Sequence, residues 1–81
     1  MVILDNLEKH NNIVEYDYYG SGDTQYGHVI FDVEKMQCVN VKYSGIDAES
    51  NFQRLYRKSL LALNEMIEAN NYISRYEYFW Y

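Results

Sequence analysis

The sequence predicts an α+β domain in two layers. An antiparallel three-stranded meander plus a C-terminal fourth strand carries one long helix on one face, in the order (α)-β-β-β-α-β. Three observations predict it. Segments between residues 13 and 43 alternate apolar and polar side chains, the period of a half-buried strand. From Phe52 to Ile67 apolar residues recur at spacings of three and four, the period of a helix with one buried side. After Asn70-Asn71 the chain alternates again, and both alternating sets contain aromatics.

The bracketed first helix rests on residues 2–11, VILDNLEKHN, which place Val2, Ile3, Leu4 and Leu7 on one apolar side. A helix this short depends on docking to the rest of the domain. In residues 13–19, IVEYDYY, Val14, Tyr16 and Tyr18 face one way, Glu15 and Asp17 the other. Gly20-Ser21-Gly22-Asp23-Thr24 is the strongest turn signal in the chain. In residues 26–33, Val29, Phe31 and Val33 face inward; His28, Ile30 and Asp32 face outward. Residues 34–37 form the next turn. Residues 38–43 are expected to place Val39, Val41 and Tyr43 inward, with Cys38, Asn40 and Lys42 outward.

Parity constrains that second hairpin. Core residues are odd-numbered on both of its strands, so paired positions must sum to an even number. A two-residue loop at Lys35-Met36 would give an odd sum and turn one core face to solvent. The sequence therefore predicts a three- or five-residue loop, or a bulge, between Val33 and Val39.

The long helix is expected to begin at a Ser50-x-x-Gln53 capping box, with Asp47 as a rival N-cap. Its stripe is Phe52, Tyr56 (or Leu55), Leu60, Leu63 and Ile67. Asn70-Asn71 ends it, because Asn tolerates the left-handed conformation after a last turn. In the final strand Tyr72, Ser74, Tyr76, Tyr78 and Trp80 alternate with Ile73, Arg75, Glu77, Phe79 and Tyr81.

Composition narrows the function. At 81 residues the chain has room for a single domain, 1–81, with one modest core. Twelve acids against seven bases give a net charge of −5. That balance argues against duplex nucleic acid and anionic membranes, whose affinity comes from Lys and Arg. It suits a partner with a basic surface. Cys38 is the only cysteine, so an intramolecular disulfide and a cysteine metal cage are both excluded. A lone thiol fits a reducing compartment. With no basic leader and no long apolar run, the expectation is a soluble cytoplasmic protein.

Candidate chemistry is sparse, and no cofactor is expected. If Tyr19 faces Tyr26 across the glycine-rich hairpin, Asp17 faces His28, and a carboxylate could orient that imidazole. No nucleophile accompanies the pair, and a cross-strand ion pair explains it without catalysis. His10, His28 and Cys38 lack short-spaced metal-ligand partners. Glycines 20, 22 and 27 have no following Lys to make a phosphate loop. Arg54, Arg57 and Lys58 form the one basic cluster, either a solvated face with pairs such as Lys58–Glu65 or a patch for an anion or acidic partner. Leu61 stands among these charges where a polar residue would serve.

The chain carries ten tyrosines. Tyr, Trp and Arg are enriched at binding hot spots. The expectation is a small non-enzymatic protein-binding or regulatory domain with an acidic, tyrosine-rich surface. Its interface candidates are Tyr72, Tyr76, Tyr78, Trp80, Tyr81 and Leu61; its acidic contact face is Glu15, Asp17, Asp32 and Glu34. Alternatives are a homodimeric module joined by an edge strand, an enzyme using Asp17/His28 or Cys38, and a single-strand nucleic-acid binder stacking Tyr and Trp.

Overall fold

The computed structural model describes residues 1–80. Five strands form one antiparallel sheet: β1 (Val2–His10), β2 (Ile13–Gly20), β3 (Gly27–Asp32), β4 (Gln37–Lys42) and β5 (Tyr76–Tyr78). Their order is β4-β3-β2-β1-β5. A short α1 (Gly45–Ala48) and the long α2 (Arg54–Ala69) lie between β4 and β5. The α+β class and the single long helix stand as expected; four strands precede the helix, not three.

The extra strand is residues 2–10, expected to be helical. The apolar set Val2, Leu4 and Leu7 imitates a helical stripe because a bulge interrupts a strand. Between Asp5 and Glu8 the register against β2 slips by one residue. Asn6 sits at φ 52°, the left-handed region that Asn tolerates best after Gly. Beyond the bulge Leu7 takes up the inward phase that Val2 and Leu4 began, and all three are buried. The Leu7 N–H donates to the Ser74 carbonyl, 3.0 Å away, so the chain after α2 is tied to β1 at the bulge. β5 itself pairs with β1, Val2 opposite Tyr78 and Leu4 opposite Tyr76.

The first hairpin has the expected register. Asp17 pairs with His28, and the Tyr19 and Tyr26 rings stack at 4.0 Å. Gly27 is required by packing: a Cβ there would lie 2.2 Å from Cε1 of Tyr18.

The second hairpin resolves the parity problem with a bulge. Phe31 pairs with Cys38 but Ile30 pairs with Asn40, which makes Val39 the extra residue. Val29–Val41 and His28–Lys42 then have the even sums that the core requires. One consequence differs from expectation: Val39 is 59% exposed, while Cys38 packs against the core.

The core lies between the sheet and α2, with Val2, Leu4, Val14, Tyr16, Tyr18 and Val29 meeting Leu55, Ala62, Leu63 and Met66. The buried line of α2 is therefore Leu55, Ser59, Ala62, Leu63 and Met66, about one residue around from the expected stripe. Tyr56, Leu60 and Ile67 flank it, half-buried. Ser59 can be buried because its Oγ donates to the Tyr56 carbonyl (2.7 Å) and sits 2.9 Å from the Tyr16 hydroxyl. Burial pushes the Tyr16 phenol far above its ordinary value.

The helix start also differs. No capping box forms; Gln53 precedes α2 in a left-handed conformation, with no side-chain cap of its own. The cap comes from Asp47, whose buried carboxylate accepts from the Leu55 and Tyr56 amides at 3.1 and 2.8 Å. Asn70 ends the helix at φ 49°, and the Asn70 and Asn71 amides close back on the Ile67 and Met66 carbonyls.

Candidate interaction surfaces

Three surfaces carry the residues singled out by sequence. The first is the C-terminal aromatic run. Tyr72, Tyr76, Tyr78 and Trp80 face inward and pack, half-buried, against the core. Tyr76, Tyr78 and Trp80 form a ladder with ring centroids 6.4 Å apart at each step. The Tyr76 hydroxyl reaches Glu65, and Lys58 Nζ lies 5.5 Å from the Trp80 ring centroid. The ladder thus covers one flank of α2, while Ile73 and Phe79 on the alternate set are exposed. Tyr81 lies outside the described residues. The strand tyrosines 16 and 18 are wholly buried, so they offer no stacking platform.

The second surface is the outer sheet face. A row Asp5–Asp17–His28–Lys42 crosses four strands. His28 is held between two carboxylates: Nδ1 lies 2.8 Å from Asp17, and Nε2 lies 3.1 Å from Glu15. The Asp17 hydrogen bond, aided by Glu15, raises the imidazole above its ordinary value against the opposing effect of burial. Burial would raise the Asp17 carboxyl, but hydrogen bonds from His28 and Asn6 and the His28 charge outweigh it and hold it low. Arg75 adds a cation at the β1 edge, 2.9 Å from Asp5 and 3.1 Å from the Tyr19 hydroxyl. Asp32 and Glu34 stand apart from this row. Asp32 accepts from the Glu34 and Lys35 amides and so secures the β3–β4 turn, and Glu34 accepts from Asn12. The four expected acidic contacts are therefore split between a histidine clamp and a turn.

The third surface was foreshadowed by the basic cluster and the misplaced Leu61. A groove of about 750 Å³ opens beside the start of α2. Its apolar lining includes Ile46, Phe52, Leu55 and Leu61; its cations are Arg54, Arg57 and Lys58. Phe52, expected in the buried stripe, precedes the helix and is 70% exposed. Leu61 and Ile46 are 48% and 42% exposed. Among the described residues none of the three cations joins an ion pair, and the Lys58–Glu65 pair offered by the solvated-face alternative does not form. Proximity in sequence suggested the cluster; the apolar lining needed the fold, because Ile46 arrives from α1.

His10, His28 and Cys38 lie on β1, β3 and β4. Among the described residues no group of three His, Cys, Asp or Glu side chains is arranged to hold a metal ion, and no helix is long and apolar enough to cross a membrane. Comparison with known proteins finds no match: no protein-family model fits the chain, and no curated protein or solved structure is significantly similar to it.

Proposed function

We propose that this chain is a small, non-enzymatic protein-binding or regulatory domain that acts by contact. The observation that carries the reading is the concentration of exposed apolar side chains, Ile46, Phe52 and Leu61, in one groove together with Arg54 and Arg57. Aromatic anchors with adjacent Arg are the pattern of interface hot spots. The net charge of −5 supports the reading by disfavouring phosphate backbones. Both nitrogens of His28 are engaged by carboxylates, which leaves that ring no free position for a substrate proton. A lone thiol such as Cys38 suits the cytoplasm, where it stays reduced.

The test is affinity capture with the full chain against a Phe52→Asp/Leu61→Asp variant whose circular dichroism matches wild type. The expected result is a partner held by wild type and lost by the variant. Wild type that retains no protein at low salt would sink the reading.

A second reading, a homodimer, draws on β5. Among the described residues its far side has no neighbouring strand, and Ile73 and Phe79 are exposed beside it. Unpaired edges invite a second copy. Light scattering that reports a monomer at high concentration removes this reading.

A further inference from the structure

We infer that the groove at the start of α2 is a docking site for an acidic amphipathic segment of a partner protein. An apolar anchor from that segment would sit on Ile46, Phe52 and Leu61, and its carboxylates would meet Arg54, Arg57 and Lys58. This inference rests on the protein-binding reading and adds the chemistry of the occupant.

The charge of the groove opposes that of the molecule. The chain has net charge −5, yet three of its seven Lys and Arg residues fall within positions 54–58. Arg54 and Arg57 also stand where a helix least favours them. The first turn of a helix attracts acids and disfavours cations, because the amide dipoles point their positive ends there. α2 has no acid in its own first turn; the acid there is the buried Asp47, at the wall of the groove, whose oxygens are taken by the Leu55 and Tyr56 amides and the Tyr18 hydroxyl. Lys58 lies against the Trp80 ring, but among the described residues no carboxylate pairs with any of the three cations. Cations without a carboxylate partner, set beside exposed Phe52, mark a surface whose complement lies on another molecule.

The lining selects among anions. Duplex nucleic acid needs many phosphate contacts and would meet an acidic body around three cations. A free anion would use the cations and leave the apolar floor in water. A protein segment with an apolar stripe flanked by Asp or Glu satisfies both at once. From Arg54 to Leu61 the helix rises roughly 10 Å, the length of about two turns of a docked helix.

The experiment titrates the isotopically labelled full chain with a synthetic acidic amphipathic peptide, following backbone amides by NMR. Controls are a scrambled peptide of the same composition and inorganic phosphate. The expected result is shifts confined to residues 46–61 with the amphipathic peptide, and affinity falling about tenfold from 50 to 500 mM salt. Arg54→Glu/Arg57→Glu should weaken binding by about tenfold or more with the spectrum otherwise unchanged. Equal shifts from the scrambled peptide or from phosphate overturn the inference, as does the absence of shifts in the groove. Shifts along β5 or on the outer sheet face also overturn it, but leave the protein-binding reading standing. That broader reading fails separately, if capture with the wild-type chain retains no protein.

Discussion

The Tyr18 hydroxyl donates to the Asp47 carboxylate at 2.7 Å and accepts from the Ser44 amide at 3.0 Å. One phenol at the centre of the sheet thereby positions the residue that caps α2. The same Asp47 oxygen receives the Tyr56 amide, and its other oxygen receives Leu55. Burial first, and the Asp47 carboxylate second, push the Tyr18 phenol far above its ordinary value, so it remains a donor at any working pH. Sheet and helix are joined through this point, and α1 exists to present it.

Asp47→Ala removes three hydrogen bonds, two of them wholly buried, and should cost about 3 kcal/mol. Tyr18→Phe should cost about 1–2 kcal/mol, because Asp47 and the Ser44 amide each lose a partner. Urea denaturation with helix content followed by circular dichroism measures both. An Asp47→Ala protein as stable as wild type contradicts the capping role.

Tyr16 and Ser59 should show coupling. Ser59→Ala leaves the Tyr16 hydroxyl buried without its partner and should cost about 1–3 kcal/mol; Tyr16→Phe should cost about 1 kcal/mol. The double variant is expected to lose less than the sum, since neither group is then left unpaired. Strict additivity in the double-mutant cycle rules the bond out as a contributor.

The His28 clamp links stability to pH. The imidazole is raised, so its contribution is full below about pH 6.5 and fades as pH climbs through the raised value. Asp17 is lowered, so its contribution is present above about pH 4 and fades as pH falls through the lowered value. The pair therefore contributes most between those limits. Both side chains remain partly exposed, so screening reduces the effect to roughly 0.5 kcal/mol. The stability difference between wild type and His28→Gln should shrink from pH 6 to pH 9. A difference that stays constant across that range shows that the clamp does not form in solution.

Gly27→Ala should destabilise by about 2–3 kcal/mol or prevent folding. Its Cβ would meet not only the Tyr18 ring but the Lys42 carbonyl at 2.8 Å, and neither can retreat without moving buried structure. Thermal melts of the purified variant decide it; an unchanged midpoint refutes the packing described around Tyr18.

Met36→Asn should stabilise. Met36 holds φ 53° in an exposed turn, a conformation that Asn adopts with less strain. The gain should be roughly 0.5 kcal/mol, read as a raised urea midpoint at constant slope. A lowered midpoint would show that the Met36 side chain contributes packing that its exposure hides.

Sequence reading succeeded where one period held without interruption. β2 and β3 alternate cleanly, and their pairing follows, including Asp17 with His28. It failed where a single backbone event changed the phase. The bulge at Asn6 turned a strand pattern into an apparent helix, and the one at Val39 exchanged the faces of Cys38 and Val39. Ser59 concealed the true buried line of α2, since a serine reads as polar until Tyr16 arrives from another strand. The same limit applies to the groove. Arg54, Arg57, Lys58 and Leu61 were visible as an anomaly, but Ile46 and Phe52 join them only after the chain turns at α1.

The sheet order puts the burden of long-range closure on one short strand. Every other pairing joins strands that are neighbours along the chain, and these can zip in sequence. Only β5 must find a strand from the opposite end, and it holds β1 through three residue pairs. Such an element forms late and opens early, because its contacts are few and its loop is long. The β5 amides should therefore exchange with deuterated solvent well before those at the centre of the meander. Each such opening would bare the backbone of Val2–Leu4, and the border of this sheet would then be a population of sealed and unsealed molecules, not a fixed line.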